Sequence, residues 1–217
     1  MGLDLIRAVL FDVDGVLLES DEALVQAFTR TLMKFGFRKP TPQEVLRHSG
    51  LTGGQWLRAL IPKHSHKRAD EMHPYLARLY ATRYLPQMAR VMPGADEAIF
   101  ELRRKGVKTA VITNMWRWVV DSVFRRFGLE KGFDTIVASD ELPVSKPGGL
   151  PLRVALQQLG VHAEDALFIG DTETDVRAGR HAGVRVVLLN HSRNRNVRGA
   201  WRRIDSMAEL PSIVERG

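Results

Sequence analysis

Cysteine is absent from the 217 residues, which excludes disulfides, thiolate metal sites and a cysteine nucleophile. Long apolar runs are missing too, and no stretch approaches the ~20 residues a membrane span needs. The first residues lack a basic segment followed by an apolar one, so a non-secreted chain is expected and the cytoplasm fits best. Aromatic residues are sparse at 7%, yet hydrophobic content of 44% is ordinary and supports a sizeable core. Neither internal repeats nor low-complexity tracts occur. The length allows one domain of ordinary size, or a core with a modest insertion.

What is plentiful is positive charge, a net +7. Such a balance attracts nucleic acid or small anionic substrates, or else marks an Arg-rich solvated surface. The densest run is Arg193 to Arg198, continuing to Arg202 and Arg203, with Trp201 beside it as a ring able to stack on a base. One basic segment with one aromatic is a thin nucleic-acid signature, so a solvated surface is the expectation. Neither nucleic acid nor membrane is an expected partner, and the assembly is read as monomer or homodimer.

Five short apolar runs read as strands: Ile6 to Phe11, Lys108 to Ile112, Thr135 to Ala138, Ala166 to Ile169 and Arg185 to Leu189. Helical patterns separate the later ones, ending at Gly106, Gly128, Gly160 and Gly183, natural helix stops. Strands alternating with helices of this length predict βαβ units and a parallel sheet. The fold class is therefore α/β, a Rossmann-like parallel five-stranded sheet in the order 5-4-1-2-3 with helices on both faces. Residues from about Ser20 to Met92 break the alternation. They offer an apolar stripe at Leu24, Phe28, Leu32 and Phe35, a capped start at Thr41-Pro42-Gln43-Glu44, and a long segment from Lys67 to Leu85 interrupted or kinked at Pro74. An all-helical block between the first two strands reads as an inserted cap. The expected division is a core of residues 1–16 and 91–217 with a helical cap of residues 17–90.

Acids stand where strands end. The first run leads into Asp12-Val13-Asp14-Gly15, and the fourth into Gly170-Asp171 with Asp175 four positions on. Asp12 and Asp14 project to one side if strand geometry persists, and Asp171 and Asp175 share one face of a helical first turn. Ligands of open parallel sheets sit beyond the carboxyl ends of the strands where strand order reverses, here between strands one and four. Clustered carboxylates are costly unless a cation sits among them. An all-oxygen set suits a hard ion such as Mg²⁺; separately, the same residues also read as a turn and a helix cap. Thr113 and Asn114 follow the second strand and suit phosphate oxygens or helix capping. Lys146 lies in a loop at the same sheet edge, where its charge can balance nucleophile and phosphate. His64 and His66 read as a solvated turn rather than a metal site, Trp116 and Trp118 as packing with one able to wall the site, and Arg47, Arg58 and Lys63 as helix charges able to draw in an anion.

Taken in order, Phe11 to Val16, Ile112-Thr113-Asn114, Lys146-Pro147 and Gly170 to Asp175 resemble the four motifs of the haloacid dehalogenase-like hydrolase superfamily. The position of the cap resembles the phosphoglycolate phosphatase and β-phosphoglucomutase branch. That resemblance implies Asp12 as a nucleophile forming an aspartyl phosphate and Asp14 as general acid and base. It implies Thr113, Asn114 and Lys146 on the phosphoryl group. It also implies Mg²⁺ on Asp12, the backbone carbonyl of Asp14 and Asp171, with Asp175 bonding directly or through water. Gly148, Gly149, Leu150 and Pro151 depart from the family's usual residues after Lys-Pro, and His48 to Gly54 resembles its substrate-specificity loop only loosely. Because the dehalogenases lack an acid equivalent to Asp14, a phosphate ester is the expected substrate: a leaving alkoxide needs a proton and a halide does not. The expected activity is Mg²⁺-dependent hydrolysis of a small phosphorylated metabolite, with phosphoglycolate the best single candidate. A β-phosphoglucomutase-type phosphomutase is the nearest alternative, and a non-catalytic binding protein or basic nucleic-acid-binding module the alternative from another class.

Overall fold

The structure, a computed structural model, describes residues 5–216. Its centre is β1 (Ala8–Phe11), buried along its whole length and paired in parallel on both sides. A strand covered on both faces must be apolar throughout, which is why it reads as an unbroken run. After β2 (Leu18–Glu19) and β3 (Arg90–Val91) come β4 (Lys108–Ile112), β5 (Thr135–Val137), β6 (Ala166–Gly170), β7 (Arg185–Leu189) and β8 (Arg202–Ile204). The main sheet is parallel in the order β5-β4-β1-β6-β7-β8. The five expected strands keep their order, but the sheet has six.

The added strand, β8, corrects the expectation, and its chemistry explains why it was missed. It is an edge strand in which only Ile204 is buried, so no apolar run announces it. Arg203 beside it is a structural arginine, donating to Asn190 Oδ1 (2.6 Å) and to the carbonyls of Asn194 (3.1 Å) and Val197 (2.6 Å). The guanidinium groups of Arg185 and Arg202 lie 5.1 and 5.0 Å from the centre of the Trp201 ring. Much of the basic run is thus built into the sheet edge.

Alternate residues of the central strands face opposite layers. Val9, Phe11, Val111 and Ile169 pack with helices Ala95–Arg104 and Arg117–Phe127. Ala8, Leu10, Ile112 and Phe168 pack with Leu150–Leu159 and Glu173–Ala182. Gly149 precedes the Leu150 helix because a Cβ there would lie 2.6 Å from the backbone of His181. The departure after Lys146-Pro147 therefore lets two helices close together.

Between β2 and β3, which pair antiparallel, the chain is helical: Asp21–Lys34, Pro42–Leu46, Gly53–Leu60, Arg68–Leu79 and Leu85–Met88. Thr41 and Glu44 form the expected capping box, with Glu44 N donating to Thr41 Oγ1 (3.2 Å) and Thr41 N to Glu44 Oε2 (2.8 Å). The Arg68–Leu79 helix runs through Pro74, whose exposed ring faces solvent, and then widens into a π-helical turn at Tyr80–Tyr84. No helix among the described residues is long and apolar enough to cross a membrane.

Phe124 carries much of one layer, 1% exposed with its ring centre 5.4 Å from that of Phe133. Phe124→Ala is expected to cost about 3–5 kcal/mol. This would read as a lower urea midpoint with an unchanged slope.

Candidate active site

Strand order reverses between β1 and β6, so their carboxyl ends flank a crevice that no neighbouring strand fills. Asp12 leaves β1 there, with its backbone N–H still donating to Ile169 O (2.9 Å). Its Oδ1 accepts from Val13 N (2.7 Å) and lies 2.8 Å from Lys146 Nζ. The same ammonium donates to Asp175 Oδ1 (2.7 Å), and Lys146 is only 1% exposed. Burial would lower the lysine pKa, but Asp12 and Asp175 outweigh it and hold it above the ordinary value. Burial pushes the Asp12 carboxyl up to about 7, with Lys146 opposing and Asp175 adding repulsion.

Asp175 is fully buried, and its second oxygen accepts from Thr172 N (3.0 Å), Thr172 Oγ1 (2.6 Å) and Asp171 N (3.3 Å). Both oxygens are thus committed to the turn and to Lys146. Asp171 differs. Its Oδ2 accepts from Arg193 Nη2 (2.7 Å), while its buried Oδ1 has no hydrogen-bond partner. An orphaned buried oxygen is expensive. Burial raises the Asp171 pKa well above the ordinary carboxylate range, with Arg193 holding it down in part. Asp12, Asp171 and Asp175 each offer an oxygen, all within 4.8 Å of one another. The unsatisfied Oδ1 and the all-oxygen donor set fit a hard divalent cation.

Gly15 makes this approach possible. Its φ is +80°, and a Cβ would stand 2.3 Å from Asp171 Oδ2. The acidic turn of β1 can therefore close against the acidic turn of β6 only with glycine here. His191 Nε2 lies 2.7 Å from the Gly15 carbonyl oxygen and steadies the same turn.

Asp14 stands apart from the cluster. Its Oδ1 accepts from Ser20 Oγ (2.5 Å) and Tyr80 Oη (2.6 Å), and burial raises its pKa despite both donors. Thr113, 4% exposed, lines the cleft with Oγ1 accepting from Met115 N (3.1 Å). The Asn114 side chain is a clip: Nδ2 donates to Gly50 O (2.7 Å) and Lys146 O (2.9 Å), while Oδ1 accepts from Lys146 N (3.0 Å). Asp12, Asp14, Thr113, Asn114, Lys146 and Thr172 thus line one cleft, and Asp171 and Asp175 lie against Asp12 in the carboxylate cluster. His64 lies in a short surface turn, Lys63–Ser65, with His66 just after it, and Trp118 is exposed.

Sequence reasoning missed Tyr80, Ser20, His73 and the inward turn of Arg193. Arg193 carried no local signal; it read as one member of a basic run, yet it bridges Asp171 and Asp21.

A family model for haloacid dehalogenase-like hydrolases matches residues 9–189. The chain belongs to that family. It is 34% identical over 213 residues to a phosphoglycolate phosphatase of Pseudomonas putida, covering 96% of this chain and 75% of that one. A phosphoglycolate phosphatase of Chromobacterium violaceum is 29% identical over the full length of both. CbbY from Rhodobacter sphaeroides, solved in complex with phosphate, superposes with a TM-score of 0.80 at 27% identity, covering 95% and 96% of the two chains. This haloacid dehalogenase-like hydrolase thus has relatives that span its core and its helical insertion alike.

His73 projects from the helical block onto Trp116, with ring centres 4.1 Å apart. Burial lowers its pKa from 6.5 to about 4, Arg58 adding to the effect and Asp70 opposing it. Between those values the unfolded chain takes up a proton that the folded chain refuses, so stability falls as pH falls from about 6.5 to 4. His73→Phe keeps a ring and removes the proton site. Its urea midpoint is expected to drop less than that of the native chain between pH 7 and 4.5; equal drops would contradict this assignment.

Proposed function

We propose that the chain is a Mg²⁺-dependent phosphatase hydrolysing a small phosphomonoester, with residues 17–90 as a cap over a core of residues 1–16 and 91–217. The observation that carries the reading is Asp12, buried and paired with an equally buried lysine 2.8 Å away at the switch point of the sheet. A buried carboxylate beside a buried lysine, opening on a cleft, matches what phosphoryl transfer needs: an in-line nucleophile and concentrated positive charge.

In this reading an Asp12 carboxylate oxygen attacks phosphorus, the ester P–O bond breaks, and an aspartyl phosphate forms. Asp14 gives its proton to the departing alkoxide; its raised pKa favours the protonated form this step needs. It then takes a proton from the water that attacks the aspartyl phosphate, and the products are alcohol and inorganic phosphate. Ser20 and Tyr80 hold Asp14 in place. Lys146 offsets charge on the phosphoryl oxygens, the Thr113 hydroxyl reaches them, and Asn114 fixes Lys146 by its backbone. Asp12, Asp171 and the backbone carbonyl of Asp14 would hold Mg²⁺, with Asp175 ordering the Asp171 turn. When bound, the ion supplies positive charge that keeps Asp12 ionised and shields the phosphate. Phosphoglycolate, the substrate in the relatives' names, is the reference ester.

Hydrolysis of a phosphate-ester panel with Mg²⁺ and no bisphosphate activator tests this directly. Asp12→Asn is expected to lower turnover by at least roughly a thousandfold, and equal activity in both proteins would reject the nucleophile. A metal readout independent of turnover is thermal unfolding. At Mg²⁺ about 100 times its Kd, the melting temperature should rise by about 5–10 °C in the native chain. Asp171→Asn should abolish the rise, and chelation should reverse it.

A further inference from the structure

The cleft over the carboxylates is small. Its volume is about 80 Å³, well below the roughly 300–1,000 Å³ of sites that take drug-sized ligands. Leu24, Phe28, Trp56 and Leu76 line it, and each is 7% exposed or less. Phe28 and Trp56 pack with ring centres 4.5 Å apart, and the Trp56 N–H is tied to Val45 O (2.7 Å). Side chains held in this way have little freedom to make room.

A ring pair contributed by both parts of the chain closes one side. Trp116 stands two residues past Asn114, at the start of the Arg117–Phe127 helix, and His73 comes from the Arg68–Leu79 helix. Both line the cleft, with ring centres 4.1 Å apart and planes inclined by 48°. Behind His73 lies Gly53, where a Cβ would stand 2.4 Å from Nε2, so the ring is seated against backbone. The same loop is pinned to the core three residues earlier. Gly50 has φ +89°, a Cβ there would stand 2.6 Å from Thr172 Oγ1, and its carbonyl accepts from Asn114 Nδ2 (2.7 Å). Loop, histidine and tryptophan therefore close on one another over the motif residues.

We propose that Trp116 and His73 form a size stop that limits the alcohol half of the substrate to roughly two or three carbons. Short esters such as phosphoglycolate are then hydrolysed and hexose phosphates refused. The inference rests on the phosphatase reading and narrows its substrate class. Extra atoms forced among packed side chains displace rotamers and backbone. A clash of this kind refuses the longer ester without any added contact to the shorter one.

The test measures kcat/KM with Mg²⁺ for phosphoglycolate, glycerol 3-phosphate and glucose 6-phosphate, using the full chain. A fall of at least about a hundredfold is expected from the better short ester to glucose 6-phosphate. Trp116→Ala and His73→Ala each open the stop. In each, the ratio of glucose 6-phosphate to short-ester kcat/KM should rise at least about tenfold. Trp118→Ala, at an exposed position two residues on, should leave that ratio where it was. Urea midpoints identify which variants are folded, and either one suffices. Native turnover of glucose 6-phosphate as fast as that of the short esters, or an unmoved ratio in a folded variant, would overturn the proposal and leave the phosphatase reading standing. No hydrolysis of any of the three esters would remove that reading and the proposal with it.

Discussion

A lysine ammonium buried between two carboxylates sets the terms for the rest of this molecule. Lys146 Nζ touches Asp12 and Asp175 at 2.8 and 2.7 Å, with all three residues almost wholly out of water. Breaking such a group by removing one partner costs about 3–5 kcal/mol, because it strands the remaining charge. The fold therefore has to hold three separate stretches of chain in register, and its other devices serve that need. Asn114 clips the Lys146 backbone to the end of β4. Thr172 and the Asp171 amide hold Asp175. Gly15 lets the turn after β1 press against Asp171.

Charge balance within this group is incomplete. Asp12, Asp171 and Asp175 face one lysine and one arginine, and that arginine is shared with Asp21. The deficit gathers at Asp171, which keeps one oxygen without a partner. The divalent cation proposed above would answer both shortages at once, the missing charge and the missing ligand. Arg193 joins the carboxylate cluster to the first helix of the insertion through Asp21. Tyr80 joins the insertion to the core in the same way through Asp14. Two polar bridges thus tie the helical block to the two acidic turns, while its apolar residues shape the cleft wall.

How much of this was legible in the sequence depended on locality. Strands such as β1 and β6 are buried on both faces, and a run of four or five apolar residues leaves little ambiguity. β8 was illegible because an edge strand rich in arginine looks like a solvated loop. The acidic turns could be placed because topology, not side-chain type, put their strands side by side. Arg193, Tyr80 and His73 could not, since each acts over long sequence separation: 22 residues from Asp171 for Arg193, 66 from Asp14 for Tyr80. Asn114 was expected on the phosphate, but its side chain is engaged in holding loops together, a role that only the distances reveal.

One cation is proposed to complete a preformed carboxylate cluster. Anomalous scattering from crystals grown with Mn²⁺ in place of Mg²⁺ tests it most directly. A single strong peak is expected, bonded to Asp12 and to the now-unpartnered oxygen of Asp171, with Lys146 still joining Asp12 to Asp175. A peak elsewhere on the surface, or one present only after Lys146 has left its carboxylates, would contradict it.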